Sequence, residues 1–207
     1  MMERMLWMTM AWLAGGVALH AGEGKVVFED SFEGKLKPGW KWIREVPEAW
    51  RLRDGALEIK LMPGNAQTVR NALVRPAPDR RTGRYAIELT IRNLTAPTEQ
   101  YEQAGITWYH NGQPVFKLVK ERVNGQLMII PGRKPMTEPT VQLRLSVAGR
   151  RFTAQYRPGG RGAWQTAAQG ELPPPGRDEV SIQGYHGPPN AAHWIRFDDF
   201  RIVRLGD

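Results

Sequence analysis

The carboxylates of this sequence are not spaced for acid–base cleavage by two acids. Such cleavage needs two carboxyl groups on either side of the reacting bond, and residues on one strand share a face only when an even number of positions separates them. Asp198-Asp199 and Asp178-Glu179 are adjacent pairs, and Glu99 and Glu102 fall in an expected loop. Two-acid catalysis is therefore not predicted from local spacing, although a pair assembled from distant segments stays open.

Nucleophilic and metal chemistry also lack their usual patterns. The chain has no cysteine, which excludes thiol catalysis, cysteine-ligated zinc and a disulfide scaffold. It has no Gly-x-Ser-x-Gly, no His-Glu-x-x-His and no glycine-rich phosphate loop. His110, His186 and His193 are not spaced as metal ligands on one element. The remaining candidates for function are aromatic and polar side chains, and their positions depend on the strands that carry them.

Hydrophobic residues alternate with polar ones over several segments. Tyr85, Ile87, Leu89 and Ile91 alternate with polar or small residues, and residues 57–61 and 141–147 show the same period of two. This period is typical of a strand with one buried face. Phe197 and Phe200 have opposite parity in the last such segment, which predicts a β-bulge at Asp198-Asp199.

Three Asx-Gly pairs separate these segments: Asp54-Gly55, Asn111-Gly112 and Asn124-Gly125. Each pair supplies the positive φ angles of a two-residue hairpin turn, which favours antiparallel pairing. The 22 glycines and 16 prolines fit a turn-rich chain, and no useful helical period follows residue 25. We therefore predict an all-β, two-sheet antiparallel, jelly-roll-like sandwich over residues 25–207.

The N-terminal segment resembles a signal peptide. An apolar run at residues 6–19 follows a short segment with one arginine. Gly16-Val17-Ala18 fits the small-x-small cleavage pattern, and Leu19-His20-Ala21 fits it less well. The run is short for a bilayer span. We expect residues 1–21 to be cleaved and the mature protein to be secreted or periplasmic, without a membrane anchor. The alternative is an N-terminal helix that stays as a membrane anchor, and the mass of the mature N-terminus would distinguish the two.

The net charge of +8 favours anionic partners. The basic residues are scattered along the sequence, and no run of five is present. A solvated basic surface is the simpler interpretation, and no nucleic-acid partner is predicted. Trp40, Trp42, Trp50 and Trp164 are expected to pack in the core or at its rim.

Strand parity selects a set of outward-facing side chains. If Ile106 and Trp108 face the core, the residues between them face outward, and the same holds around Leu118 and Ile182. Aromatic rings beside hydrogen-bonding groups suit the two faces of a sugar, whereas an ordinary polar sheet face is the alternative. The predicted saccharide-binding residues are Tyr109, Lys117, Glu121, Gln183 and Tyr185.

Six segments together resemble a known superfamily. The similar segments are residues 27–34, 38–42, 50–57, 104–109, 116–121 and 197–202. The chain is similar to concanavalin A-like lectin and glucanase domains, and among these to the C-terminal β-sandwich of family 43 β-xylosidases and to DUF1349 proteins. This resemblance implies two curved antiparallel sheets.

The resemblance also implies a structural calcium ion. Matching the motifs places its oxygen ligands at about Glu29, Gly55 and Asp198, and oxygen ligation suits Ca²⁺. The alternative is that Asp198-Asp199 is only a solvated bulge.

Three functions follow from these observations. The first is a secreted, non-catalytic domain that binds a poly- or oligosaccharide, for which Lys117 would suit an acidic sugar. The second is a glycoside hydrolase or lyase acting on a polysaccharide, and the third is a structural or partner-binding domain.

Overall fold

The computed structural model describes residues 24–206, which form fifteen strands and one 3₁₀ turn at Pro47–Ala49. The predicted signal peptide lies outside the described residues. No helix in the described range is long and apolar enough to cross a bilayer. In chain order the strands are β1 (Lys25–Asp30), β2 (Lys41–Ile43), β3 (Trp50–Arg53), β4 (Ala56–Lys60), β5 (Ala72–Pro76), β6 (Arg84–Asn93), β7 (Gln103–His110), β8 (Gln113–Val123), β9 (Gln126–Ile130), β10 (Lys134–Pro135), β11 (Thr140–Ala148), β12 (Arg151–Pro158), β13 (Gln165–Glu171), β14 (Asp178–Tyr185) and β15 (Trp194–Leu205).

The strands form two sheets, in which every pairing is antiparallel. Sheet A has the order β13-β12-β11-β6-β15-β4-β3, and β1 pairs with the second half of β15. Sheet B has the order β10-β9-β8-β7-β14-β5-β2. The all-β sandwich predicted from the alternating pattern is confirmed.

The core lies between the sheets and is built from the predicted alternating residues. Ile87, Leu89 and Leu143 come from sheet A, and Ile106 and Trp108 come from sheet B, all fully buried. Burying each large apolar side chain contributes roughly 1.5–3 kcal/mol. In a chain without disulfides, this core carries the stability.

The predicted turns and bulge are also present. Asp54-Gly55, Asn111-Gly112 and Asn124-Gly125 all have positive φ angles and connect β3–β4, β7–β8 and β8–β9. The register of β15 shifts between Asp198 and Arg201. The shift keeps the aromatic side chains on both sides of it in the core.

The tryptophan prediction is only partly correct. Trp40, Trp42 and Trp50 pack against the core. Trp164 instead contacts the guanidinium groups of Arg144 and Arg157, because both arginines alternate with core residues and therefore face outward from sheet A.

Candidate functional site

A groove of about 620 Å³ lies on the outward face of sheet B. β7, β8 and β14 supply its central side chains, and the β4–β5 connection adds Asn65 and Gln67 at one side. These three strands are adjacent in the sheet, so outward residues that are distant in sequence lie side by side. The central residues are Gln103, Thr107, Lys117, Glu121 and Tyr185.

The five residues predicted by parity all alternate with core residues, but they do not all reach the groove. Lys117, Glu121 and Tyr185 line it. Tyr109 lines a neighbouring cavity of about 200 Å³, which shares Gln67 with the groove. Gln183 lies on the same face of β14 and is fully buried.

Lys117 is held between two acceptors in the groove. Its Nζ lies 2.8 Å from both Gln103 Oε1 and Glu121 Oε2. An ammonium group carries three donor hydrogens, so one remains for a ligand. The carboxylate of Glu121 offsets the charge of Lys117, and the pair adds little net charge to the groove.

Gln183 is anchored from two sides. Its Oε1 accepts hydrogen bonds from the Tyr109 hydroxyl at 2.9 Å and from Ser181 Oγ at 3.0 Å. The amide nitrogen is therefore turned away from both hydroxyl groups. Gln183 links the smaller cavity at Tyr109 to the polar face of β14.

Two buried polar atoms on this face have no hydrogen-bond partner within the described residues: Thr107 Oγ1 and Gln183 Nε2. Thr107 and Ser181 are register partners on β7 and β14, as are Gly105 and Gln183. A buried polar group without a partner costs roughly 1–3 kcal/mol. Both atoms are therefore poised to bind a polar molecule, either water or a ligand hydroxyl group.

The two predicted tyrosines are not the open platforms that outward parity suggested. Tyr109 is 4% exposed and Tyr185 is 5% exposed. The Tyr185 ring packs with Val69, Ala72 and Val74 in a second apolar cluster, because β5 continues sheet B next to β14. Truncating either ring would therefore remove packing as well as any ligand contact.

The exposed aromatic groups are instead at the rim of the groove. Tyr101 is 48% exposed, and its ring centroid lies 6.1 Å from that of His186. His186 in turn lies 5.5 Å from the Tyr185 ring. Tyr101 and His186 have φ angles of 67° and 60°, a region that costs non-glycine residues energy and that is enriched at functional sites.

Burial sets the protonation states of Tyr185 and His186 in the groove. Burial raises the pKa of Tyr185 to about 12, and the nearby Glu121 carboxylate adds to this rise. Burial lowers the pKa of His186 below its usual 6.5, while Glu121 opposes the shift and Lys117 supports it. At neutral pH the groove therefore presents a neutral tyrosine and a neutral histidine.

The carboxylates on this face are not arranged for glycoside hydrolysis. Glu121 is opposite Gln103 on β7, and Glu179 is opposite Tyr109. These β7 positions are six residues apart, or roughly 20 Å along a strand, whereas glycosidases place their two carboxyl groups roughly 5–10 Å apart. Glu179 is also paired with Lys41 at 2.6 Å.

Sequence reasoning missed several residues of the groove. Gln103 and Tyr101 have the parity of Thr107 and Tyr109, so the period of two could have included them. His186 and the loop around Gln67 carried no such signal, because their place depends on how the connections fold over sheet B.

Glu33 lies beside two of the three residues implied for calcium, Gly55 and Asp198. A Cβ atom on Gly55 would lie 2.5 Å from Glu33 Oε1. Burial raises the pKa of Asp198, and the charges of Asp199 and Glu33 add to the rise. Glu29 is in β1, opposite Arg201 just beyond the β15 bulge.

The donor chemistry at this place suits a hard cation. Carboxylate and main-chain oxygens are the ligands that Ca²⁺ prefers, and a cation would relieve the repulsion around Asp198. Within residues 24–206 no three acidic, histidine or cysteine side chains are grouped to hold a metal. A calcium ion here would therefore depend on main-chain oxygens as well. Arg196 already lies close by, with Nη2 2.6 Å from Asp54 O and 3.9 Å from Asp198 Oδ2.

Comparison with known sequences gives the family. The family described as the β-xylosidase C-terminal concanavalin A-like domain matches residues 29–172, most of the described sandwich. The chain belongs to this family. The predicted resemblance is confirmed. No curated protein matches the chain.

Solved structures show the same fold at low sequence identity. The GH43 protein BlXynB from Bacillus licheniformis has a TM-score of 0.67 at 20% identity over 85% of this chain and 39% of its own. GH43B of a Bacteroides ovatus xyloglucan PUL has a TM-score of 0.68 at 17% identity, over 89% of this chain and 40% of its own. The CBM2 module of the Lactobacillus casei BL23 phage J-1 evolved Dit has a TM-score of 0.55 at 10% identity, over 89% of this chain and 98% of its own. This chain thus spans about two fifths of the two GH43 proteins.

Proposed function

We propose that this family member is a non-catalytic carbohydrate-binding domain and that its ligand lies in the groove on sheet B. The observation that carries the proposal is Thr107 Oγ1, a polar atom in the groove without a partner among the described residues, beside an exposed aromatic rim; Gln183 Nε2, also without such a partner, is buried on the same face of the sheet. Sugars combine apolar C–H faces with hydroxyl groups, and such a surface matches both. The carbohydrate-related neighbours of the family support the same class of ligand.

The ligand chemistry follows from the charge of the groove. The Lys117–Glu121 pair leaves the groove close to neutral, so neutral saccharides are its main expected ligands. An acidic sugar is the second candidate, because Lys117 keeps one donor hydrogen after binding Gln103 and Glu121. A glycan array that contains both kinds separates the two.

The sharpest test of the groove is Thr107→Val. The threonine hydroxyl makes no hydrogen bond to residues 24–206, so its removal should not lower the melting temperature. If the hydroxyl binds the ligand, affinity for the best array glycan should fall about tenfold, equivalent to roughly 1.4 kcal/mol. Tyr101→Ala at the rim should weaken binding by a similar factor.

Thr140→Val on sheet A is the matched control and should bind like the wild type. Reducing-end release is measured in parallel, since turnover would support a glycoside hydrolase or lyase instead. If no array glycan binds, or if Thr107→Val binds as well as wild type, the groove is not the binding site. A structural or partner-binding domain would then be favoured.

We also propose a structural calcium ion near Gly55 and Asp198, with Glu33 as an added ligand and the main-chain oxygen of Glu29 nearby. Binding only to the native state would stabilise it by about 2.7 kcal/mol at a hundredfold excess over Kd. The melting temperature should rise on adding Ca²⁺ and fall with EDTA, and Asp198→Ala should abolish the difference. Identical melting curves for the wild type in the two conditions would exclude a stabilising ion.

A further inference from the structure

The outward face of sheet A carries a second cluster of polar side chains, on the side of the sandwich opposite the groove. The guanidinium carbons of Arg144 and Arg157 lie 4.1 and 4.4 Å from the centre of the Trp164 ring. We call these three residues the arginine clamp. Arg144 and Arg157 belong to the adjacent strands β11 and β12, and Trp164 directly precedes β13.

Both arginines of the clamp are fixed by side chains of the sheet. Arg157 Nε donates to Gln142 Oε1 at 2.6 Å, and Arg144 Nε donates to Glu88 Oε1 at 2.7 Å. A guanidinium group has five donor hydrogens, so each arginine keeps several for another partner. Because stacking and hydrogen bonds already restrict the two side chains, binding through them would lose less conformational entropy.

The charges around the clamp do not balance. Glu88 is buried and is shared with Arg201, whose Nη2 lies 3.8 Å from Glu88 Oε2. Gln142, the partner of Arg157, is neutral. Glu29 on β1 is the register partner of Arg201 and lies on the same face. Three guanidinium groups thus lie beside two carboxylates, which leaves an excess of positive charge, while Arg144 and Arg201 remain 27% and 39% exposed. Two further acids on this face, Asp198 and Asp199, lie at the β15 bulge on the far side of β6.

We propose that the arginine clamp binds the oxyanion groups of an acidic polysaccharide. Guanidinium groups match the geometry of carboxylate and sulfate through paired hydrogen bonds. Arg201 adds a third cation, two strands from Arg144 and roughly 10 Å away, so a polymer with repeated acidic groups can contact both Arg144 and Arg201. This site is independent of the groove and of its proposed ligand.

The arrangement favours a polysaccharide over other polyanions. A nucleic acid strand carries a charge about every 3.4 Å of its helix, which is much closer than the spacing of these cations. A membrane surface would meet the whole face of the sheet, where the acids at the β15 bulge would oppose it. Widely spaced acidic groups on a flexible chain avoid both conflicts.

The test measures binding of the full chain to dextran sulfate and to neutral dextran. Wild type should bind dextran sulfate more tightly than neutral dextran. Arg157→Gln should weaken this binding about tenfold, and Arg144→Lys should weaken it by a similar factor, because lysine keeps the charge near Glu88 but loses the planar fork. Lys35→Gln is the matched control: it removes one charge from an exposed loop and should change affinity less than about twofold, since no fixed contact is lost.

Several results would overturn the proposal. If Lys35→Gln weakens binding as much as Arg157→Gln, the attraction is diffuse; if Arg144→Lys binds like wild type, charge alone suffices. Duplex DNA or phosphatidylglycerol vesicles that bind as tightly as dextran sulfate would identify another class of partner. Melting curves check that each variant is folded. If Arg157→Gln does not fold, Arg144→Lys still tests the clamp.

Discussion

At the scale of single residues, Arg80 shows how this fold handles a buried charge. Its side chain is fully buried, its Nε lies 2.8 Å from Asp178 Oδ2, and its other nitrogens donate to the carbonyl oxygens of Gly149 and Pro173. Asp178 also binds His110 Nδ1 at 2.9 Å. Arg80 and Asp178 together thus connect four segments of the chain, around residues 80, 110, 149 and 173–178.

We predict that Asp178→Asn destabilises the protein by about 3 kcal/mol at neutral pH, because it leaves the guanidinium of Arg80 buried without a counter-charge. Burial opposes ionisation of Asp178, but the hydrogen bonds from Arg80 and His110 prevail and lower its pKa below 3.8. A carboxyl group with a lowered folded-state pKa stabilises the fold above its unfolded pKa, and this contribution disappears as the pH falls through the folded value.

The difference in the free energy of unfolding between wild type and Asp178→Asn should therefore be largest at pH 7 and should decrease below about pH 4. Urea denaturation at a series of pH values measures it. Asp79→Asn, which affects an exposed pair with Arg81, should change little at any pH. A difference for Asp178→Asn that is independent of pH would contradict the assigned ion pair.

The sequence could not separate Arg80 from Arg81. The two arginines are adjacent and chemically identical, yet one is buried and the other exposed. The partner of Arg80 is 98 residues away, and no local pattern reveals a contact at that distance. The same limit applies to the clamp, whose residues come from three segments and looked scattered along the chain.

At the scale of elements, β15 depends on one extra residue. Its first half pairs with β4 and its second half with β1, and the bulge at Asp198-Asp199 separates the two. Asp199 has a φ angle of 51°, and its carboxylate accepts a hydrogen bond from Thr90 Oγ1. The bulge brings Phe200 back to the face of Phe197, and both are fully buried.

Deleting Asp199 should prevent stable folding. A one-residue shift turns every later side chain to the other face, so Phe200 and Ile202 would leave the core, and losing one buried Phe alone costs roughly 3–5 kcal/mol. Asp199→Gly keeps the residue count, and glycine tolerates the positive φ, so it should stay folded. Circular dichroism and thermal melting distinguish the two; cooperative melting of the deletion variant near the wild-type temperature would refute the role of the bulge.

The strands and turns could be predicted because their signals are local. The alternating residues 85–91 and 141–147 and the three Asx-Gly turns each lie within a few positions of one another, and the phase change at Asp198-Asp199 predicted the bulge. The exposure of Tyr109 and Tyr185 could not be predicted in this way. Parity gives the face of a sheet, whereas exposure depends on what β5 and the connections place over that face.

At the scale of the whole molecule, the two sheets present different chemistry. The groove on sheet B is nearly neutral, since Lys117 and Glu121 form a pair at 2.8 Å. The clamp on sheet A carries an excess of guanidinium groups. Part of the net charge of +8 is therefore gathered on one face, even though the basic residues are spread along the sequence.

The two proposed sites should bind their ligands independently. Face-packed sheets are about 10 Å apart, and the close-packed core between them leaves no route for one ligand to touch the other. Because the closest charges of the groove are paired, a ligand there changes little of the field at the clamp. We therefore expect the affinity for dextran sulfate to change less than about twofold when a groove saccharide is saturating, equivalent to about 0.4 kcal/mol or less.

Titration calorimetry with dextran sulfate, with and without the saccharide, measures this coupling. Thr107→Val should weaken only the saccharide and Arg157→Gln only dextran sulfate, so the pair of variants serves as a reciprocal control. Direct competition would mean that both ligands occupy one surface. Each ligand would then lower the affinity for the other by the same factor. Because the two variants lie on opposite sheets, the one that relieves the competition would identify that surface.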